Sequence, residues 1–208
     1  IAFIGVVSGA SAFAVALSQY IKTQRWKRAE FVGSEYKLFV SKQAVKNALL
    51  MLDWNGRTFE TQDKRKIVIT NEILSAALVP HRQRPEGFTE NEVYVRDIFD
   101  ELLEGLQIFS HYVESGLVSY SEFRTYLIYW VQIMADKNCG RKPAEFYKNL
   151  WSFIDYYGYS GVQKLCEGYG YPIKEEAMND ESKCKTTGEN KALSIIALVV
   201  SIIAIVFT

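Results

Sequence analysis

Residues 89–113 read TENEVYVRDIFDELLEGLQIFSHYV, and their spacing decides the fold class. Val95, Phe99, Leu102, Leu106, Phe109 and Val113 recur at three- and four-residue intervals, which lines them up in one stripe along a helix. Thr89 and Glu92 stand ahead of that stripe at capping-box spacing, where each side chain can satisfy a free amide of the first turn. Most of the stability of such an amphipathic helix comes from packing its stripe, so the stripe demands other helices.

Outward on both sides the same signals repeat. Ser41 is expected to cap a helix carrying Val45, Ala48, Leu49 and Leu52 on one face. The run Leu52-Asp53-Trp54-Asn55-Gly56-Arg57 ends it, because Asn-Gly favours a turn. Ile67-Val68-Ile69 has the composition of a brief strand, with no evident pairing partner. Thr70 opens a short helix that stops before Pro80, and the loop from His81 to Phe88 contains Pro85 and Gly87. Downstream, Ser119 with Glu122 repeats the capping-box spacing and opens a helix from Tyr120 to about Asp136. Pro143 suits a first helical turn, where its missing amide costs nothing, ahead of Phe146, Leu150, Trp151 and Ile154. That helix stops at Gly158, and Ser160 opens a last one through Val162 and Leu165. The expected class is all-α, with a helical domain over 22–173 and a polar tether over 174–191.

The chain is neutral overall, with 24 basic and 24 acidic residues, and all of them lie between Lys22 and Lys191. A balanced domain offers no electrostatic footprint for nucleic acid. Both uncharged ends are expected to be transmembrane helices. Residues 1–21 would span ~30 Å as a helix, the thickness of a hydrocarbon core. Lys22, Arg25, Lys27 and Arg28 follow that stretch instead of preceding it, unlike a signal peptide, with Trp26 among them at an interfacial position. The positive-inside bias then puts the domain on the cytoplasmic side or an organelle's stroma. Residues 192–208 form a second apolar segment, at the short end of the spanning range. The first helix is expected to continue from the membrane through Trp26, Phe31 and Leu38. Gly5 and Gly9 form GxxxG, extended by Ala12 and Ala16, a strip that lets another helix approach closely. Its partner is either a helix of another protein or the chain's own second anchor.

Catalytic and metal signatures are weak. His81 and His111 stand on different elements, and neither GxSxG nor HExxH occurs. Gly116 to Phe123 resembles the second half of an EF-hand loop, with Glu122 as the bidentate ligand. His111 and Val113 would then fill the first and third ligand positions, so calcium binding is not expected. Cys139, Cys166 and Cys184 form no CxxC pair and read as free thiols in a reducing compartment. No catalytic residue, metal or cofactor is assigned. Asp53 and Arg57 flank the Asn-Gly turn as an ion pair or a partner contact. The aromatic surplus, Tyr126, Tyr129 and Trp130 and then Trp151, Phe153, Tyr156, Tyr157 and Tyr159, exceeds what one core needs. Trp26, Asp53, Trp54, Arg57, Tyr156, Tyr157 and Tyr159 are the candidate partner surface.

Arg25-Trp26-Lys27-Arg28-Ala29-Glu30-Phe31, the Leu52 to Arg57 run, Arg84-Pro85-Glu86-Gly87-Phe88-Thr89, Gly140-Arg141-Lys142-Pro143 and Asp155-Tyr156-Tyr157-Gly158-Tyr159 are similar to segments of an uncharacterised family. That family is one of membrane-anchored bacterial proteins found chiefly in cyanobacteria. The resemblance implies no activity. It implies a phototroph or a plastid as host, a thylakoid as the membrane and a photosynthetic complex such as a photosystem as the partner. The leading expectation is a non-enzymatic accessory or tethering subunit of a membrane complex. The rivals are a membrane-anchored regulator that recruits a soluble partner, and an enzyme on a membrane-borne substrate using carboxylates such as Asp53 or Asp97.

Overall fold

Helix α1 (Ala2–Ser41) runs for 40 residues through Trp26, Phe31 and Leu38, about 60 Å at 1.5 Å per residue. The computed structural model describes residues 2–171 except 62, with side chains from Ala12 onward. Among the described side chains of α1, only those of its C-terminal part belong to the core: Val32 and Phe39 are buried, and Phe31 and Tyr36 are partly covered. Ser41 closes this helix instead of capping the next one. Its hydroxyl donates to the Leu38 carbonyl, and extended backbone at Lys42 separates α1 from α2 (Gln43–Asp53).

After α2 the chain forms an antiparallel hairpin, β1 (Gly56–Glu60) and β2 (Lys66–Thr70), with Thr58 opposite Val68. Ile67 and Ile69 thus find a partner strand. Of β1's side chains only Phe59 is buried, while Ile67 and Ile69 face inward from β2. Thr70 then accepts a hydrogen bond from the Ile73 amide and starts α3 (Asn71–Ala77).

Helix α4 (Glu90–Glu114) is the spine. Thr89 and Glu92 form the capping box: the Thr89 amide donates to the Glu92 carboxylate at 2.7 Å. Val95, Phe99, Leu102, Leu106 and Phe109 are all buried, while Val113 is half-buried. Burying such side chains stabilises by about 1.5–3 kcal/mol each, so this one stripe outweighs the helix's own propensity. Helices α5 (Tyr120–Ala135), α6 (Ala144–Tyr156) and α7 (Ser160–Gly168) complete the core through Phe123, Leu127, Phe146, Leu150, Phe153, Val162 and Leu165. Pro143 stands one residue before α6, and Gly158 takes a left-handed conformation (φ 76°) just beyond it.

The fold is predominantly helical, and the hairpin is its one departure from an all-α domain among the described residues. Among those residues no helix is long and apolar enough to cross a membrane. Residues 12–21 are ten uncharged positions before Lys22, too few to span, and the side chains ahead of Ala12 lie outside the description. The polar stretch 174–191 and the apolar stretch 192–208 also lie outside it.

Candidate functional site

From Ala12 to Glu30 every side chain of α1 is exposed except Gln24, which is partly covered. Phe13 is 69% exposed and Trp26 64% exposed, high values for such large apolar groups. None of residues 12–21 carries a charge. Lys22, Arg25, Lys27 and Arg28 then follow within two turns, and at ~100° per residue they ring the helix. Ala12 and Ala16 line a shallow groove with Val15 and Gln19. The surroundings of Gly5 and Gly9 fall ahead of the described side chains.

A polar cluster forms where α2 gives way to β1. Asp53 does not pair with Arg57. It accepts a hydrogen bond from Tyr129 of α5 and faces Arg141 at 3.6 Å. Arg57 instead lies over the Trp54 ring, 5.5 Å from its centre. Beneath them Lys142, 6% exposed, donates from Nζ to the Trp54 carbonyl (2.7 Å) and the Asn71 side chain (3.0 Å). Burial pushes the Lys142 amine down to about 8, with Asp53 offsetting part of that effect. Its hydrogen bond to Asp53 raises the Tyr129 phenol above its usual range.

A second cluster sits at the opposite end of α3. Arg96 is buried, and its guanidinium donates to the carbonyls of Ala77 (2.6 Å) and Val79 (2.8 Å) at the end of that helix. It also donates to the Tyr157 hydroxyl at 2.6 Å and meets His81 Nδ1 at 3.1 Å. The rings of Phe88 (4.1 Å), Phe153 and Tyr157 surround it. A cation here satisfies carbonyls that α3 leaves open and offsets the negative end of its dipole. Tyr156 is exposed under Arg82, and Tyr159 donates to Asp100 at 2.8 Å. Burial raises the Asp100 carboxyl, and burial followed by this bond raises the Tyr159 phenol.

Tyr157 thus joins the Arg96 cluster, with Tyr156 exposed beside it, whereas Asp53, Trp54 and Arg57 belong to the other end of α3. Seven residues of helix, about 10 Å, lie between the two groups. Trp26 stands on α1, outside both clusters, so the candidate partner residues fall into three groups. Of the aromatic surplus, Trp151 and Phe153 are core, while Tyr126, Tyr129, Tyr156 and Tyr157 remain exposed. Lys142 and Arg96 carry no signal in the sequence, because a cation beside a proline or on a helix flank looks solvated.

The EF-hand-like segment is a helix junction. Glu122 accepts the Ser119 amide at 2.7 Å, and His111 and Val113 are part of α4. Among the described residues no group of three His, Cys, Asp or Glu side chains is placed to hold a metal. Cys139 contacts the Tyr147 hydroxyl at 3.2 Å. Cys166 is buried, and burial pushes its thiol up to about 12. Where the hairpin tip meets α2 and α4, an open groove of about 770 Å³ is lined by Glu60, Asp63, Glu90, Asp97 and Glu101, with Lys42 and Arg65 among them. Lys42 pairs with Glu101 at 2.8 Å, and Arg65 pairs with Glu90. Asp97 is therefore in a different place from Asp53. Compared with protein-family models, curated proteins and solved structures, the chain matches none.

Proposed function

We propose that this chain is a non-enzymatic accessory or tethering subunit of a larger membrane complex, anchored by the apolar start of α1 and by residues 192–208. The observation that carries the reading is the free part of α1. Its uncharged, exposed residues from Ala12 to Ile21 end at four cations that surround an exposed Trp26. Water solvates such apolar surface poorly, and a bilayer or a companion helix is the environment that favours it. The basic residues follow the apolar ones, which supports a domain on the cytoplasmic or stromal side.

Membrane lipid is the first partner in this reading, and a membrane-protein complex the second. Within lipid, association depends on close packing, and Gly5, Gly9, Ala12 and Ala16 supply the small strip for it. The cyanobacterial resemblance supports a thylakoid as the membrane and a photosystem as the complex. The non-enzymatic part rests on how the polar groups are occupied: Arg96 and Lys142 are bonded to backbone carbonyls, and Asp53 and Asp97 do not converge. A second reading, a regulator that recruits a soluble partner, is favoured by the open acidic groove beside the hairpin.

Replacing Gly5 and Gly9 together by Leu tests the reading. Leu is more apolar than Gly, so insertion should persist while co-purification with the membrane partner weakens. Undiminished co-purification would remove the strip from the contact.

A further inference from the structure

Helix α4 lies beside α1 in register, and the register gives the domain a top and a bottom. Lys42 meets Glu101 at 2.8 Å. Phe39 then packs on Gly105 and on Phe109, 5.0 Å between ring centres. Tyr112 donates to Glu35 at 3.0 Å and packs its ring on Phe31 at 5.2 Å. From the first contact to the last, each chain segment advances eleven residues, almost all of them helical and about 16 Å long, in opposite directions. The two helices are therefore antiparallel, and α4 ends at Glu114 about level with Ala29, one residue past the basic ring.

The turn between α4 and α5 sits at that level. It is pinned, because the amides of Leu117 and Val118 both donate to the Tyr112 carbonyl and Val118 is buried. Leu117 is left 48% exposed at its tip. The end of α7 joins the same pole: Tyr169 donates to the Tyr120 carbonyl at 3.1 Å, and Gly168 lies against the Tyr120 ring. The described chain thus finishes, at Tyr171, near where α1 enters the domain. The hairpin tip is at the other end, where Arg65 pairs with Glu90 at the start of α4, about 36 Å from Glu114.

We propose that the domain stands on an anionic bilayer by this one pole, with the α4–α5 turn around Leu117 resting at the headgroups beside the basic ring of α1. The inference rests on reading α1 as an anchor. Two features argue for an upright stance. Charge on α1 is segregated by height, with none among residues 12–21, whereas a helix lying on a membrane carries a charged face along its length. The helix also passes into the domain without a joint, so a tilt of α1 is a tilt of the whole. The four cations of the ring have no carboxylate partner among the described residues, and anionic headgroups complement them. The acidic groove beside the hairpin then faces away, into water.

The test uses the full chain in vesicles of phosphatidylcholine and phosphatidylglycerol containing a lipid with a headgroup quencher. Cys139 and Cys184 are replaced by Ser, and a fluorophore is attached through Leu117→Cys or, in a second protein, Glu60→Cys on the hairpin. Ser115→Cys is a duplicate probe of the same turn. The probe at 117 should lose most of its emission while the probe at 60 keeps it. If the protein stays with the vesicles through a carbonate wash but 115 and 117 remain as bright as 60, the anchor survives and the stance is wrong. If carbonate strips the protein from the vesicles, the anchor reading fails and takes the stance with it.

Discussion

The contact between Phe39 and Gly105 is the rivet between α1 and the spine, and it gives a prediction with a reversal of sign. A Cβ added at Gly105 would lie 2.3 Å from Cε2 of the Phe39 ring, far inside van der Waals contact. The ring is 6% exposed and is held from behind by Phe109, so it has little room to retreat. Overpacking of this kind costs about 1–3 kcal/mol, while replacing a mid-helix Gly by Ala returns about 1 kcal/mol of propensity. Gly105→Ala should therefore destabilise by up to about 2 kcal/mol. Phe39→Ala should cost about 3–5 kcal/mol through lost burial and the cavity it leaves. With the ring gone, the added methyl has space, and Gly105→Ala should stabilise the Phe39→Ala protein by about 1 kcal/mol. Urea unfolding of the full chain in mild detergent, followed by tryptophan emission, reads all four corners of this cycle. The same loss from Gly105→Ala with and without Phe39 would refute the packing argument.

Three further outcomes follow from the clusters. Arg96→Met should cost about 3 kcal/mol in the same unfolding assay, since two carbonyls lose charged donors, and Arg96→Lys should recover only part because the fork is lost. The Lys142 amine is held down at about 8 in the folded state against an ordinary value of 10.5, so the unfolded chain binds the extra proton between those values. Stability should therefore rise as pH increases from 8 towards about 9, above which the buried Cys166 thiol, raised from 9.0 to about 12, pulls the other way, and the rise below 9 should be absent in Lys142→Met. Mass-spectrometric footprinting with a thiol reagent at pH 8 should modify Cys139 in the native protein and Cys166 only after unfolding, since Cys166 is 1% exposed and its thiol is raised to about 12.

Elements whose signals are local are legible in the sequence. The α4 stripe, the Thr89–Glu92 box and the Thr70 cap each depend on residues within one or two turns, and they form as the spacing suggests. The hairpin is only half legible. Ile67-Val68-Ile69 has strand composition, but its partner Gly56–Glu60 contributes a single buried side chain, so alternation does not reveal it. Ser41 misleads because a serine before an apolar run suits a cap, yet α1 runs through it and its hydroxyl bonds backwards to Leu38.

The site residues are less legible, because their partners are distant in sequence. Asp53 and Arg57 are near each other, but Tyr129 and Arg141 reach Asp53 from far along the chain and Trp54 takes Arg57. Arg96 is buried because α3 ends above it and Phe153 lies beside it, neither of which spacing within α4 can announce. The level of the α4–α5 turn against α1 likewise depends on pairings such as Glu35 with Tyr112, 77 residues apart.

A protein that works while held in a membrane assembly must leave the membrane together with its partner. The most direct measurement is mild solubilisation of native membranes followed by native separation and quantitative mass spectrometry of what travels with the chain. The protein should resist carbonate extraction and then migrate with a membrane-protein partner at a fixed stoichiometry. A chain that migrates alone under every gentle condition, or that carbonate releases, would contradict the proposed role.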